Sequence, residues 1–256
     1  MTMSAPRRWV ETALIPVKLP IAAWMGHAIG RGATDVTAAS PARSALVLAP
    51  HPDDETLGCG ATVMRKVDAG AAVTVVVITD GSTWPPDHDP AENIATRDAE
   101  LRASCRILGL PDDAVVHLSF PETHLDTAGD ALVDAVADAI ATYSPDDVFV
   151  TSEADPHSDH AALGAAARRA AAGTGGRLLA YPIWQWTRPR SWTRTEAAAS
   201  PAETVRTDGY LERKRRAIAV FHSQMSAAAG GDQQEGLTPR FLAHFAGERE
   251  IFFPVP

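Results

Sequence analysis

The sequence predicts an α/β protein with a doubly wound, mostly parallel sheet, helices on both faces, and a functional site at the carboxyl ends of the strands. Three observations carry this expectation. Short apolar runs of strand length alternate with longer segments of helical spacing. One of these runs, Ala71-Ala-Val-Thr-Val-Val-Val-Ile-Thr79, is a block of β-branched residues, as a strand buried on both faces requires. Two segments that leave predicted strands, His51-Pro-Asp-Asp-Glu55 and Asp155-Pro-His-Ser-Asp-His160, gather histidines and acids where open α/β sheets collect ligands.

Taken in order, the first strand is the run Ser44 to Pro50, followed by the polar loop His51 to Glu55 and a helical segment from Ala61 to Val67. The second strand ends at Asp80-Gly81-Ser82, and the Pro- and Asp-rich stretch Trp84 to Pro90 reads as a rim or lid. A helix from Ala91 to Leu108 closes at Gly109. Val115 to Phe120 is a third strand, and Ala128 to Tyr143 a helix with Leu132, Val136 and Ile140 at four-residue intervals. Asp147 to Thr151 is a fourth strand; Asp155 as N-cap and Pro156 as first residue open the next helix. Arg177 to Tyr181 is a fifth strand. The segment Tyr181 to Trp192 carries three of the six tryptophans, read as core or rim packing in preference to ligand contact. Glu203 to Thr207 reads as an edge strand, Gly209 to Gln224 and Leu237 to Phe245 as helices, and Ile251 to Phe253 as a last strand.

At 256 residues and 45% hydrophobic content the chain can bury a sizeable core. No internal repeat or linker divides it, so the organisation expected is an N-terminal extension, 1–43, and a single domain, 44–256. A net charge of -9 argues against a nucleic-acid partner. The basic cluster Arg213-Lys-Arg-Arg216 reads as a solvated helix face. Cys59 and Cys105 fit a reduced interior. The apolar stretch Ala13 to Met25 is broken by Pro16, Lys18 and Pro20, too short and interrupted to span a membrane. A signal peptide with a weak cleavage site near Ser40 competes with a helix packed on the domain or on an amphiphilic surface. The reading adopted is a cytoplasmic protein; its oligomeric state is not legible.

The chemistry resides in the two polar loops. His51 and Asp54 offer one nitrogen and one oxygen ligand three positions apart, and His160 supplies a third ligand from the later loop. Two histidines and a carboxylate with an open position are the pattern of catalytic zinc, with another divalent cation as the alternative. Asp53, beside a metal-facing Asp54, is left free as general base. His157 shares a helical face with His160 and, if protonated and held so by Asp159 or another acid, stabilises an oxyanion.

Together, His51-Pro-Asp-Asp-Glu55 and His157-Ser-Asp-His160 resemble the LmbE/PIG-L family of zinc-dependent N-deacetylases. Thr79-Asp-Gly81, Arg97-x-x-Glu100 and Lys214 with His222-Ser-Gln224 extend the resemblance over about Ser44 to Gln224. It implies a Rossmann-like fold and hydrolysis of an N-acetylglucosamine-containing conjugate to the free amine and acetate. It also implies His51, Asp54 and His160 on zinc, Asp53 as base and later acid, His157 against the tetrahedral intermediate, and Arg97 on substrate hydroxyls. Two positions depart from the family: Asp155 replaces a Tyr or Arg that assists the oxyanion, and Glu122 stands for an Asp, both expected on the substrate side.

Alternatives keep the same site. One is an amidase for a larger acyl group, another a tailoring deacetylase for a secondary metabolite such as a glycopeptide antibiotic. A non-catalytic metal- or sugar-binding protein would have no use for Asp53. A dinucleotide oxidoreductase is disfavoured, because Gly58-Cys-Gly60 lacks the third glycine of the fingerprint and the adjacent acids repel a pyrophosphate.

Overall fold

The computed structural model describes residues 21–193, 201–225 and 237–256; the apolar stretch before residue 21 lies outside them. A helix over residues 21–32 (α1) and a two-residue strand, β1 (Thr34–Asp35), precede the alternating part. There the order is β2 (Ala45–Ala49), α2 (Asp54–Asp68), β3 (Val73–Thr79), α3 (Pro90–Leu108), β4 (Val115–Phe120), α4 (Asp130–Tyr143), β5 (Asp147–Thr151), α5 (Ser158–Ala170) and β6 (Arg177–Tyr181). The remainder comprises short α6 (Pro189–Trp192), β7 (Glu203–Arg206), α7 (Leu211–Ile218), α8 (His222–Met225), α9 (Pro239–Leu242) and β8 (Arg249–Val255). Among these residues no helix is long and apolar enough to cross a membrane.

One eight-stranded sheet runs β1-β7-β8-β6-β5-β2-β3-β4. The five strands from β4 to β6 are parallel, and β8 runs antiparallel to both β6 and β7. Strand β2 is buried along its whole length, and its side chains alternate between two cores. Val47 and Ala49 join Leu57 and Met64 of α2, whereas Leu46 and Leu48 join Leu163 and Ala166 of α5. The chain therefore leaves β2 toward one face and leaves the neighbouring β5 toward the other. This is the topological switch point of a doubly wound sheet.

Several expectations need correction. Helix α2 starts at Asp54, not near Ala61; Asp54 and Glu55 occupy its first turn, where the helix dipole favours negative charge. Helix α5 is capped by His157, whose Nδ1 accepts from the Asp159 amide at 3.2 Å, not by Asp155. The carboxylate of Asp155 is committed to other amides. β7 is interior to the sheet because β1 pairs alongside it. The helix expected over Gly209 to Gln224 splits into α7 and α8, and Glu100 of α3 captures both the amide (2.9 Å) and the hydroxyl (2.6 Å) of Ser223. The tryptophans divide: Trp186 and Trp192 are core residues, whereas Trp184 lines a cavity.

The solvated basic face also contains an exception. Lys214 is fully buried, donating to the Leu57 carbonyl and to Glu250 Oε1, both at 2.7 Å. Glu250 in turn accepts from the amides of Ala61 (2.7 Å) and Thr62 (2.8 Å), fastening β8 to the middle of α2. Removing one partner strands the other charge in the interior. Glu250→Ala is expected to cost ~3–5 kcal/mol of stability, lowering the thermal midpoint by about 10 °C. Arg106→Ala, which opens an exposed pair with Asp112, is expected to leave the midpoint nearly unmoved. Thermal denaturation followed by circular dichroism checks both, and equal shifts would contradict the assignment.

Candidate active site

The turn from β2 into α2 is short and strained. Asp53 sits at the N-cap with φ 152° and ψ -28°, a conformation costing about 1–3 kcal/mol outside glycine. Glu55 holds it there: the Asp53 amide donates to Glu55 Oε2 at 3.0 Å. Thr56 Oγ1 donates to Glu55 Oε1 and lies 2.8 Å from Ser104 Oγ on α3. Burial pushes the Glu55 carboxyl up to about 7, against the hydrogen bond from Thr56.

Three donor atoms meet at the switch point. His51 Nδ1 is 3.1 Å from His160 Nε2, and each is 3.3 Å from Asp54 Oδ2. Bonds of about 2.0–2.2 Å to a tetrahedral zinc place ligand atoms roughly 3.3–3.5 Å apart, so the triangle has the dimensions of a metal site. A looser grouping joins His51, His157 and His160 within 4.8 Å. The tighter set containing Asp54 is preferred here, because its three donor atoms lie only 3.1 to 3.3 Å from one another.

An outer layer aims these ligands. His51 Nε2 lies 3.1 Å from Asp159 Oδ2, and Asp159 also accepts from the amides of Thr123 (2.7 Å) and Leu125 (3.2 Å). Carboxylates behind ligating histidines fix tautomer and ring orientation. Burial would lower the His51 pKa, but Asp159 and Asp54 more than reverse this and lift it to about 10. Burial would raise Asp54, yet His160 and His51 hold it below the usual range. The pocket thus stabilises a positive charge. On the far side, His160 Nδ1 is buried 3.6 Å from Asp155 Oδ1. The close approach of α5 that sets His160 depends on Gly164, where a Cβ would meet the Thr151 carbonyl at 2.6 Å.

Of the other predicted residues, His157 lies with its ring 4.8 Å from that of His51 and 4.7 Å from that of His160. Asp159 does not hold it charged, contrary to the sequence expectation: burial, then His160 and His51, push its pKa down to about 4. With Nδ1 accepting from an amide, a neutral His157 carries its proton on Nε2 and remains a donor. Asp53 lines the cavity, and its carboxylate has no hydrogen bond among the described residues. Burial, then the neighbouring Asp54, raise it well above the usual carboxylate range. Arg97, 3% exposed, is bound to Glu122 Oε1 at 2.7 Å, while Thr83 donates to Glu122 Oε2 from its amide at 2.7 Å. Glu122 is on the substrate side as expected. Asp155 is not; it turns away from the cavity toward the amides of His157 (3.0 Å), Ile183 (3.3 Å) and Trp184 (2.9 Å).

All of this opens on a cavity of about 410 Å³, within the range of small-molecule sites. Sequence reasoning missed the latch formed by Glu55, the role of Asp159 behind His51, and Arg188 as a wall residue, whereas Trp84 lines the cavity from the stretch read as a rim. Glu55 and Asp159 stood within the quoted motifs, but only the fold shows which atoms they bind.

An open α/β sheet with this cluster at its switch point defines a protein with a cavity beside a donor set able to hold a metal. The chain belongs to the PIG-L family: the family profile, described as GlcNAc-PI de-N-acetylase, matches residues 46–171. It is 30% identical over 133 residues to the uncharacterized deacetylase YaiS of Escherichia coli K12, covering 50% of this chain and 68% of that protein. It is 31% identical over 207 residues to the 1D-myo-inositol 2-acetamido-2-deoxy-alpha-D-glucopyranoside deacetylase of Streptomyces griseus, covering 65% and 61%. In fold it is similar to N,N'-diacetylchitobiose deacetylase from Pyrococcus horikoshii, with a TM-score of 0.65 at 24% identity over 85% of this chain and 86% of that one.

Two outcomes are expected at this site. Elemental analysis after zinc loading and desalting should find about one ion per chain, kept in Asp53→Asn and lost in Asp54→Ala or His160→Ala. Retention in Asp54→Ala together with loss in His157→Ala would favour the three-histidine grouping. Glu55→Ala should destabilise the fold by ~2 kcal/mol in urea denaturation, by releasing the strained Asp53 turn. Glu55→Gln, which keeps an acceptor for the amide, should recover most of that loss; equal losses would sink the latch.

Proposed function

We propose that the protein is a zinc-dependent N-deacetylase that removes the acetyl group from an N-acetylglucosamine-containing glycoside or glycoconjugate. The observation that carries this reading is Asp53: a carboxylate unpaired by hydrogen bonding, held in a strained turn beside the donor triangle, at the wall of the cavity. A site that only stored a metal would gain nothing from that strain.

His51 Nδ1, Asp54 Oδ2 and His160 Nε2 are the atoms that would hold zinc, and the ion would supply Lewis acidity toward water and the amide carbonyl. Asp53 takes the proton of the attacking water as the C–O bond forms. It then delivers that proton to the nitrogen as the C–N bond breaks, yielding acetate and the free amino sugar. His157, through Nε2–H, donates a hydrogen bond to the developing oxyanion. Arg97, braced by Glu122, is placed to meet sugar hydroxyls with its remaining donors. Asp155 takes no part at the oxyanion; its place is in the supporting backbone.

The S. griseus relative, by its name, acts on an acetamido sugar joined to inositol, which supports an N-acetylglucosaminide as substrate. The catalytic unit is taken as 44–256, with 1–43 as an extension, and the location as cytoplasmic. The test is acetate release from a panel of N-acetylglucosaminides by zinc-loaded protein. Chelation should abolish release and zinc restore it. Asp53→Asn should lower kcat/KM by about 10²–10⁴-fold while retaining zinc. Release of a longer acid in place of acetate would favour the larger-acyl amidase. A zinc-loaded protein cleaving neither amide would overturn the reading.

A further inference from the structure

One wall of the cavity carries residues that the chemistry just described does not use. That wall is the segment that follows β6, where Ile183, Trp184, Thr187 and Arg188 line the cavity with Trp84 from the α3 side. One face of the Trp184 indole is stacked on Phe241 at 4.5 Å and 17°, so the ring is held flat. The same wall is tied to the catalytic loop, because both oxygens of the buried Asp155 are spent on it: Oδ2 accepts from the amides of Ile183 and Trp184, and Oδ1 from that of His157. The two arginines of the cavity differ. The charge of Arg97 is paired with Glu122, whereas no carboxylate among the described residues pairs with Arg188. Arg188 is exposed where it lines the cavity, so in a chain of net charge -9 its guanidinium, unpaired among the described residues, is available to an anion bound there.

We infer that this wall of the cavity is an aglycone subsite for a planar, apolar group bearing an oxyanion, carboxylate or phosphate, with Trp184 as the platform and Arg188 as the anion contact. The inference rests on the N-deacetylase reading for its substrate, but not for its binding test. Aromatic groups lie on a fixed indole at little entropic cost, and a guanidinium binds either oxyanion through paired hydrogen bonds. Asp155, at the position where the family resemblance expects an oxyanion donor, instead sets the distance from His157 to this wall.

The experiment compares phenyl, 4-carboxyphenyl, 4-phosphophenyl and methyl N-acetylglucosaminides with the zinc-loaded enzyme. The carboxylated or phosphorylated aryl glycoside should exceed the phenyl glycoside by about tenfold in kcat/KM. Arg188→Gln should bring that ratio to within about twofold of one, while Arg190→Gln, outside the cavity wall, keeps it. Trp184→Leu should narrow the gap between aryl and methyl glycosides. The relative rates of the carboxylate and phosphate arms tell which anion the rim accommodates. Calorimetric binding of the same glycosides to Asp53→Asn separates the two readings. An anion preference in binding to Asp53→Asn, with no turnover of any of these glycosides by the unsubstituted zinc-loaded protein, would keep the subsite and reject the deacetylase. Turnover with no preference for the anion, or a preference that survives Arg188→Gln, would overturn the subsite.

Discussion

The site depends on one topological constraint: β2 and β5 are neighbours, and the helices that follow them leave toward opposite faces of the sheet. Parallel pairing with Val47 opposite Phe149 brings Ala49 level with Thr151 when continued two residues, so both strands end at the same height. The diverging helices leave a crevice that no backbone fills, and both first turns border it. His51 and His160 are 109 positions apart in the chain, yet their ring nitrogens stand 3.1 Å from each other.

The crevice also sets an electrostatic condition. Five buried acids, Asp53, Asp54, Glu55, Glu122 and Asp159, surround three histidines and one arginine. Buried charges persist only when paired or hydrogen-bonded. Asp54 and Asp159 lean on the histidines, Glu122 on Arg97, and Glu55 on Thr56 and the Asp53 amide. Asp53 is the member without such support. A cation in the donor triangle would relieve the repulsion between Asp53 and Asp54, which links metal occupancy to the charge on Asp53.

The central strands were legible because a buried parallel strand is a block of β-branched residues, as Val73–Thr79 is. That His51, Asp54 and His160 would meet was legible because they sit in two short motifs that lie at strand ends. What stayed hidden depends on partners distant in sequence. Lys214 looked solvated until Glu250, 36 positions away, closed over it. Asp155 had the sequence signature of an N-cap, but amides 28 and 29 residues downstream claim its carboxylate. The charge on His157 was misjudged because Asp159 could not be seen facing His51.

The α1 helix presents Ala22, Gly26 and Gly30 inward, and a Cβ on Gly26 would stand 2.3 Å from the Trp186 ring. Trp186 and Trp192 belong to the same short stretch that carries Trp184 and Arg188. The helix near the start of the chain and the wall of the cavity are thus a matched pair, whereas the motif loops rest on the sheet. In evolutionary terms the architecture couples heritable traits: a graft of residues 183–192 from a relative would need its own version of 21–32 to pack, and amides at 183 and 184 that still meet Asp155 of the loop before α5.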